Sequence, residues 1–378
     1  MKLWIAFFLS LLAVGPAGAD GWVNTANTMS DPRWAPAYTL LAGGTRGLIA
    51  GGYSFPTGRC VATADEFDPQ THRFLPCQGQ MVVPRNFAQA NLLPDGRVLI
   101  SGGYNTILGS LNSAEVYDPK TRMFTRLPTR MTAPRELYTA TTLTDGRVLL
   151  VAGFDTHRGR TLPTAELYDP QAQTFTPTGS LATDRFGQDA VRLSDGRVLV
   201  VGGQHWFVGK PGVPLASAEI YDPVTGRWHE THSPLHFARD RPTLTLLPGG
   251  KVLVAGGQNG TEEPGAAEVF DPHAETFTVL PGGLLSPRMA HSAAALPDEQ
   301  VLLVCGWSIA EAATTRRAEM FDPKTQTFLP VPLLPAGAHD EALLVFPGGL
   351  VLAAGGKQAG SGKETSLAQG WTWLSPHP

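Results

Sequence analysis

With 378 residues the chain has room for two average domains or one large all-β domain. Charged residues make up 16% and hydrophobic residues 42%, which excludes an intrinsically disordered chain. A formal net charge of −4 gives no footprint for nucleic acid or an anionic membrane surface, and the 42 Gly and 32 Pro point to many turns.

The chain starts with Lys2, an apolar run from Leu3 to Val14, and the small-residue pattern Ala17-Gly18-Ala19. This reads as a signal peptide over 1–19, cut before Asp20, and predicts an exported protein, periplasmic or secreted. The run is too short for a comfortable membrane crossing and no later segment is long enough, so no membrane span is expected.

Residues 20–378 read as one domain of repeated units. The phrase "SAEVYDPKTRMFTRLP" (113–128) returns at 164–179, 217–232, 266–281 and 317–332, and in weaker form at 63–78. A second phrase, "DGRVLISGG" (95–103), returns with closing glycines Gly52, Gly103, Gly153, Gly203, Gly257, Gly306 and Gly356. The period is about fifty residues, the mark of radial β repeats. Each unit predicts four strands: a mixed apolar strand, an Asp-Gly hairpin turn, a fully buried apolar strand ended by Gly, an "AEVY" strand, an Asp-Pro turn, and a strand with an aromatic. In the last unit, "ETSLAQGWTW" (364–373) keeps Glu364 and Trp373 at the spacing of Glu115 and Phe124. The N-terminal "GWVNTANTM" (21–29) looks like one more fourth strand, so one of the two tails closes the ring.

In a four-stranded meander the short regular turns share one face. The loops between the second and third strands share the other with the crossovers between units. Ligand contacts concentrate on irregular loops held by a rigid scaffold, so the second face is the candidate. A column of Arg33, Arg85, Arg135, Arg185, Arg239 and Arg288, replaced by Ala338, stands where each innermost strand starts. These guanidiniums either ring a channel mouth and grip an anion, or pair with the third-strand acids Asp65, Glu115, Glu166, Glu219, Glu268, Glu319 and Glu364. One and three positions after the column stand the unevenly distributed Glu136, Asp240, His291, His339 and Glu341, candidates for a polar ligand or for acid–base work. In the second-to-third loops Tyr104, His205, Trp206, Phe207 and Trp307 are candidates for sugar stacking or a protein contact.

Cys60 and Cys77 flank one predicted hairpin and are a possible disulfide; Cys305 reads as a buried small hydrophobe. His229 and His232 would face opposite sides of a strand, so no metal site is expected there.

The Gly-Gly after the second strand and the spaced aromatics resemble the kelch repeat over nearly all of the chain after the leader. The variety with "DGRVLVVGG" and "AEVYDP" is similar to bacterial exported kelch proteins and to the propeller of the galactose-oxidase group. The resemblance implies an all-β, seven-bladed β-propeller of four-stranded antiparallel blades. It also brings up the group's copper, held by Tyr and His with a Tyr–Cys crosslink, but no such set can be matched here and no cofactor is expected. The expected function is a monomeric binding module for a carbohydrate or protein ligand. The alternatives are an enzyme similar to sugar mutarotases, acting on an acidic sugar, and a copper oxidase.

Overall fold

The computed structural model describes residues 21–206, 208–260, 262–360 and 363–374; the leader read at 1–19 and Phe207 lie outside them. Blade two shows how the repeat folds. Gln89–Leu92, Val98–Ser101, Ala114–Asp118 and Met123–Arg126 form an antiparallel meander running from the axis outward. The apolar second strand is enclosed on both faces, with Val98, Leu99 and Ile100 all 0% exposed. Burying each such side chain favours folding by about 1.5–3 kcal/mol. The Asp-Gly turn departs from the expected geometry. Only its glycine is left-handed (Gly96, φ 87°), and the loop closes through Leu93 N–H to Arg97 O at 2.8 Å and Gly96 N–H to Leu93 O at 3.0 Å. That is a turn with Pro94 at its second position and Gly96 absorbing the strand's bulge, wider than a two-residue hairpin.

Seven blades of this kind surround one axis, with inner strands Ala37–Leu40, Gln89–Leu92, Thr139–Thr142, Asp189–Arg192, Thr243–Leu246, Ser292–Ala295 and Ala342–Val345. The core lies between blades. Leu99 and Val116 of blade two, for example, pack with Val148, Leu150 and Tyr168 of blade three. The N-terminal tail closes the ring: Val23 and Asn24 pair with Thr372 and Trp371 as the outer strand of blade seven. Trp22 locks this strand by stacking on Trp373 (5.9 Å between rings) and donating to Pro332 O at 3.1 Å.

The arginine column is a set of internal clasps. Arg33, Arg85, Arg135, Arg185, Arg239 and Arg288 are 0% exposed, so they do not line the channel mouth and present nothing to a ligand from solvent. Arg135 donates to Ala152 O (2.7 Å), Thr164 O (3.0 Å) and the Glu166 carboxylate (2.7 Å). Glu166 also accepts from Thr132 N–H (2.8 Å) and Ala133 N–H (3.4 Å) in the preceding crossover. Each clasp thereby ties a crossover to the body of its own blade, and the buried charges are neutralised and hydrogen-bonded together.

Blade seven corrects one expectation. Glu364 is not a third-strand acid. It lies in the ribbon Lys357–Gly360/Lys363–Ser366, where Lys357 Nζ reaches it at 2.8 Å. The third strand is Gly370–Leu374, so Trp373 is a third-strand residue rather than a fourth-strand one. Trp371 pairs with Ala353 where Glu115 pairs with Ile100, and Ala338 stands in the arginine column. Both halves of the clasp are lost together, and Ala338 and Trp371 share one apolar cluster instead.

Candidate functional site at the mouth of the channel

Each second-to-third loop bends over the irregular face, and in blades one, two, three, four, six and seven it forms a small ribbon, such as Tyr104–Asn105 with Gly109–Ser110. The glycine pair lets the next crossover lie against the backbone: a Cβ on Gly51 would sit 2.3 Å from Arg85 O. The residue after the pair then bridges to the residue after the arginine, giving Asn86 with Tyr104, Glu136 with Phe154, Asp240 with Gln258, Met289 with Trp307 and His339 with Lys357.

One position further on, the chain turns toward the axis. Ala35, Phe87, Leu137, Gly187, Arg241, Ala290 and Asp340 are all left-handed, with φ between 50° and 68°. For residues other than glycine this conformation costs on the order of 1–3 kcal/mol each. Their main chains are linked around the mouth: Phe87 N–H donates to Ala35 O (3.0 Å), Gly187 to Leu137 (3.0 Å), Arg241 to Gly187 (2.8 Å), Asp340 to Ala290 (3.1 Å) and Ala35 to Asp340 (3.1 Å). Arg241 reaches from blade five to Asp340 of blade seven at 3.3 Å. Trp34 Nε1 (2.9 Å) and His339 Nδ1 (2.8 Å) converge on the same Asp340 oxygen. Burial alone would raise the Asp340 carboxyl, but Arg241, His339 and Trp34 more than offset it and hold it at about 2.

Below this ring lies a channel of about 440 Å³ lined by the inner strands of blades one to six and by Asp340 and Glu341 at the entry to blade seven. Among the described residues, its wall carries polar atoms without a protein partner: Thr139 Oγ1, Gln188 Oε1, His291 Nδ1 and both carboxyl oxygens of Glu341. Burial, reinforced by the charge of Asp340, pushes Glu341 up to about 8 against the pull of its own main chain, Ser292 and Arg288. Asp189 is raised to about 6 by burial, with Leu244 N–H (2.7 Å) and Ala190 N–H (2.8 Å) pulling the other way. Burial, with the charges of Arg288 and Arg239, drives His291 down to about 3, so it is a neutral ring bonded to the Thr243 hydroxyl at 2.9 Å. At the rim, burial takes Glu136 to about 7 against the pull of Ser110 and Arg241, and raises Asp240. Asp240 accepts from Gln204 (3.1 Å) and Gln258 (3.0 Å) through one oxygen, and its other oxygen has no protein partner. Gly187 makes room for it, since a Cβ there would lie 2.4 Å from Asp240 Oδ1.

Two aromatic groups stand on this face. Trp34 contacts Tyr53, Phe55, Phe87 and His339 at 5.0–6.2 Å, Trp307 contacts His339 at 6.2 Å, and Lys357 Nζ lies 5.2 Å above Trp34. In the second group Phe154 meets Phe186 (5.4 Å) and Trp206 (5.1 Å).

The structure therefore brings Glu136, Asp240, His291, His339 and Glu341 to one mouth, places Trp307 beside His339 and Trp206 beside Phe154, and leaves Tyr104 half-buried in the ribbon of blade two. His205 Nδ1 binds Asp184 at 2.6 Å. The possible disulfide is not formed. Cys60 points to Asn86 Oδ1 (3.5 Å) in the ribbon layer, whereas Cys77 follows an outer strand and reaches Tyr117 Oη at 3.3 Å. Sequence reasoning missed Arg241, Asp340, Asp189 and Trp34. The first two are the only charged members of the column two after the arginines, which was the available signal.

A family model described as Kelch motif matches residues 92–131 and 190–231. The Kelch-like protein terF of Aspergillus terreus is 24% identical over 50% of this chain and 42% of its own length. An F-box/kelch-repeat protein of Arabidopsis thaliana is 29% identical over 41% of this chain and 40% of its own, so the chain spans less than half of either relative. Among solved structures, a fungal alcohol oxidase of the AA5 family in complex with copper superposes with a TM-score of 0.69 at 18% identity, covering 94% of this chain and 76% of that one. At that identity the likeness concerns the fold. Among the described residues no three His, Cys, Asp or Glu side chains gather as metal ligands, so the residues present do not fit a site built from those donors.

Proposed function

We propose, from the premise that this chain is a kelch-repeat β-propeller, that it is an exported recognition module whose irregular face binds a carbohydrate at the channel mouth. One observation carries the reading: buried polar atoms without protein partners converge on a mouth whose rim carries two aromatic groups. Sugars are held by this combination, flat apolar faces for the ring and hydrogen-bonding groups for the hydroxyls. The opposite face offers short turns whose acids serve the turns themselves, as Asp95 does for Arg97 N–H at 3.0 Å. A glycan and polysaccharide screen on the chain from Asp20 tests the reading. Binding that disappears in Trp34→Ala and Trp206→Ala, at unchanged fold by circular dichroism, is expected. Binding unaffected by both variants, or a screen with no hit beside retention of a partner protein, contradicts it.

A second reading has its own observation. Glu136 at about 7 and Glu341 at about 8 lie where a carboxyl can both give and take a proton at neutral pH. The reaction this suits is interconversion of sugar anomers, followed by NMR. An acidic substrate has lost its support, because the six arginines are enclosed in the blades.

A further inference from the structure

We infer that the group seated at the mouth is a protonated amine, carried by an amino sugar; this rests on the carbohydrate reading above. Among the described residues, the unpartnered atoms at the mouth are Asp240 Oδ1, Gln188 Oε1 and both carboxyl oxygens of Glu341, all acceptors once Glu341 is ionised, beside the Thr139 hydroxyl and His291 Nδ1. Glu341 is 2% exposed and lines the channel, so its carboxyl is enclosed at the place a ligand would enter. A surface of acceptors calls for a donor, and an ammonium brings three donors and a charge. The cations at the mouth are already committed. Arg241 is held by Asp340 at 3.3 Å, and Lys357 by Glu364 at 2.8 Å. That leaves Asp240 and Glu341 without an ion pair to a guanidinium or ammonium among the described residues. A carboxylate ligand would meet Asp340 with like charge, the six column arginines are enclosed, and Arg241 is already bound to Asp340. The flanking aromatic faces suit a pyranose ring; Trp34 already carries Lys357 Nζ at 5.2 Å, and the group of Phe154, Phe186 and Trp206 adds attraction for a cation beside it. A lysine side chain, being a narrow stem, makes little use of two such platforms.

The groups facing Glu341 are Asp340 beside it in the crossover into blade seven, Tyr38 of blade one, and Arg288, His291 and Cys305 of blade six, with Asp189 also acting on Tyr38. An ammonium seated among them favours the ionised carboxylate and lowers its pKa, so its arrival releases the Glu341 proton in the window between that lowered value and about 8.

The test is calorimetric titration of the chain from Asp20 with glucosamine oligomers and with N-acetylglucosamine oligomers of equal length, mildly acidic, in two buffers of different ionisation heat. Acetylation keeps the ring and hydroxyls and removes the charge. The expected result is binding about tenfold tighter for the amine, with proton release that is absent for the acetylated oligomer. Glu341→Gln should remove the proton release and most of the preference, and Asp240→Asn, which alters the rim alone, should weaken the preference if the first variant folds poorly. Equal or tighter binding of the acetylated oligomer overturns the inference while leaving carbohydrate recognition standing. Binding of a lysine-rich peptide with no binding of the glucosamine oligomer also overturns it. Failure of both oligomers and of every other glycan removes the carbohydrate reading itself.

Discussion

Glu166 in the body of blade three and Glu341 at the channel mouth are 0% and 2% exposed, yet they live under opposite conditions. Glu166 meets a guanidinium and two main-chain N–H groups, whereas neither carboxyl oxygen of Glu341 has a hydrogen-bond partner among the described residues. A buried charge that is fully bonded serves the fold; one left without partners is tolerated where a ligand or a proton will complete it. The repeat makes the contrast sharper, since blades one to six all carry the clasp, and blade seven, which lacks it, supplies Glu341 and Asp340 to the mouth.

The largest expected effect comes from breaking a clasp. Arg135→Ala strands Glu166 without its cation and should cost about 3–5 kcal/mol in denaturant unfolding, whereas mouth variants should not approach this. A smaller effect is set by pH. Glu341 has a folded pKa of about 8 against 4.5 for an ordinary Glu, so the folded state holds the extra proton between those values and stability falls as pH rises through that window. Glu136, raised to about 7, acts in the same direction. His291, lowered from 6.5 to about 3, opposes them below 6.5, so the clean decline lies between 6.5 and about 8. There the slope for one group approaches about 1.4 kcal/mol per pH unit, and thermal scans of Glu341→Gln should flatten it. The smallest effect on stability is expected from Gly187→Ala. Its left-handed backbone is matched by Ala35 and Ala290 in the same ring, so about 1 kcal/mol is lost. The new Cβ nonetheless collides with Asp240 Oδ1 at 2.4 Å, and ligand affinity should fall well beyond that loss in stability.

The propeller was legible because seven copies of one sentence announce themselves: the glycine pairs, the Asp-Pro turns and the buried second strands all lie where the spacing put them. The last unit misled because Glu364 and Trp373 mimic the separation of Glu115 and Phe124, although a longer ribbon carries Glu364 and places Gly370–Leu374 as the third strand. At the site, the columns one and three after the arginines found Glu136, Asp240, His291, His339 and Glu341. The column between them was passed over. Strand counting assumes alternation, and a left-handed residue in every blade breaks it, which turns Arg241 and Asp340 to the mouth. The arginines themselves could not be placed from the sequence, because a residue at the start of an inner strand can face either the channel or the blade. Only the pairing with the repeated acid decides, and that pairing is a contact in three dimensions which spacing along the chain does not reveal.

The most direct measurement is the denaturant midpoint of Glu341→Leu at neutral pH, compared with the unmodified chain. A carboxyl that serves a ligand and not the fold predicts a midpoint raised by about 1 kcal/mol of stability, together with loss of glycan binding. A midpoint lowered as far as that of Arg135→Ala would contradict the account, since it would make Glu341 another structural acid.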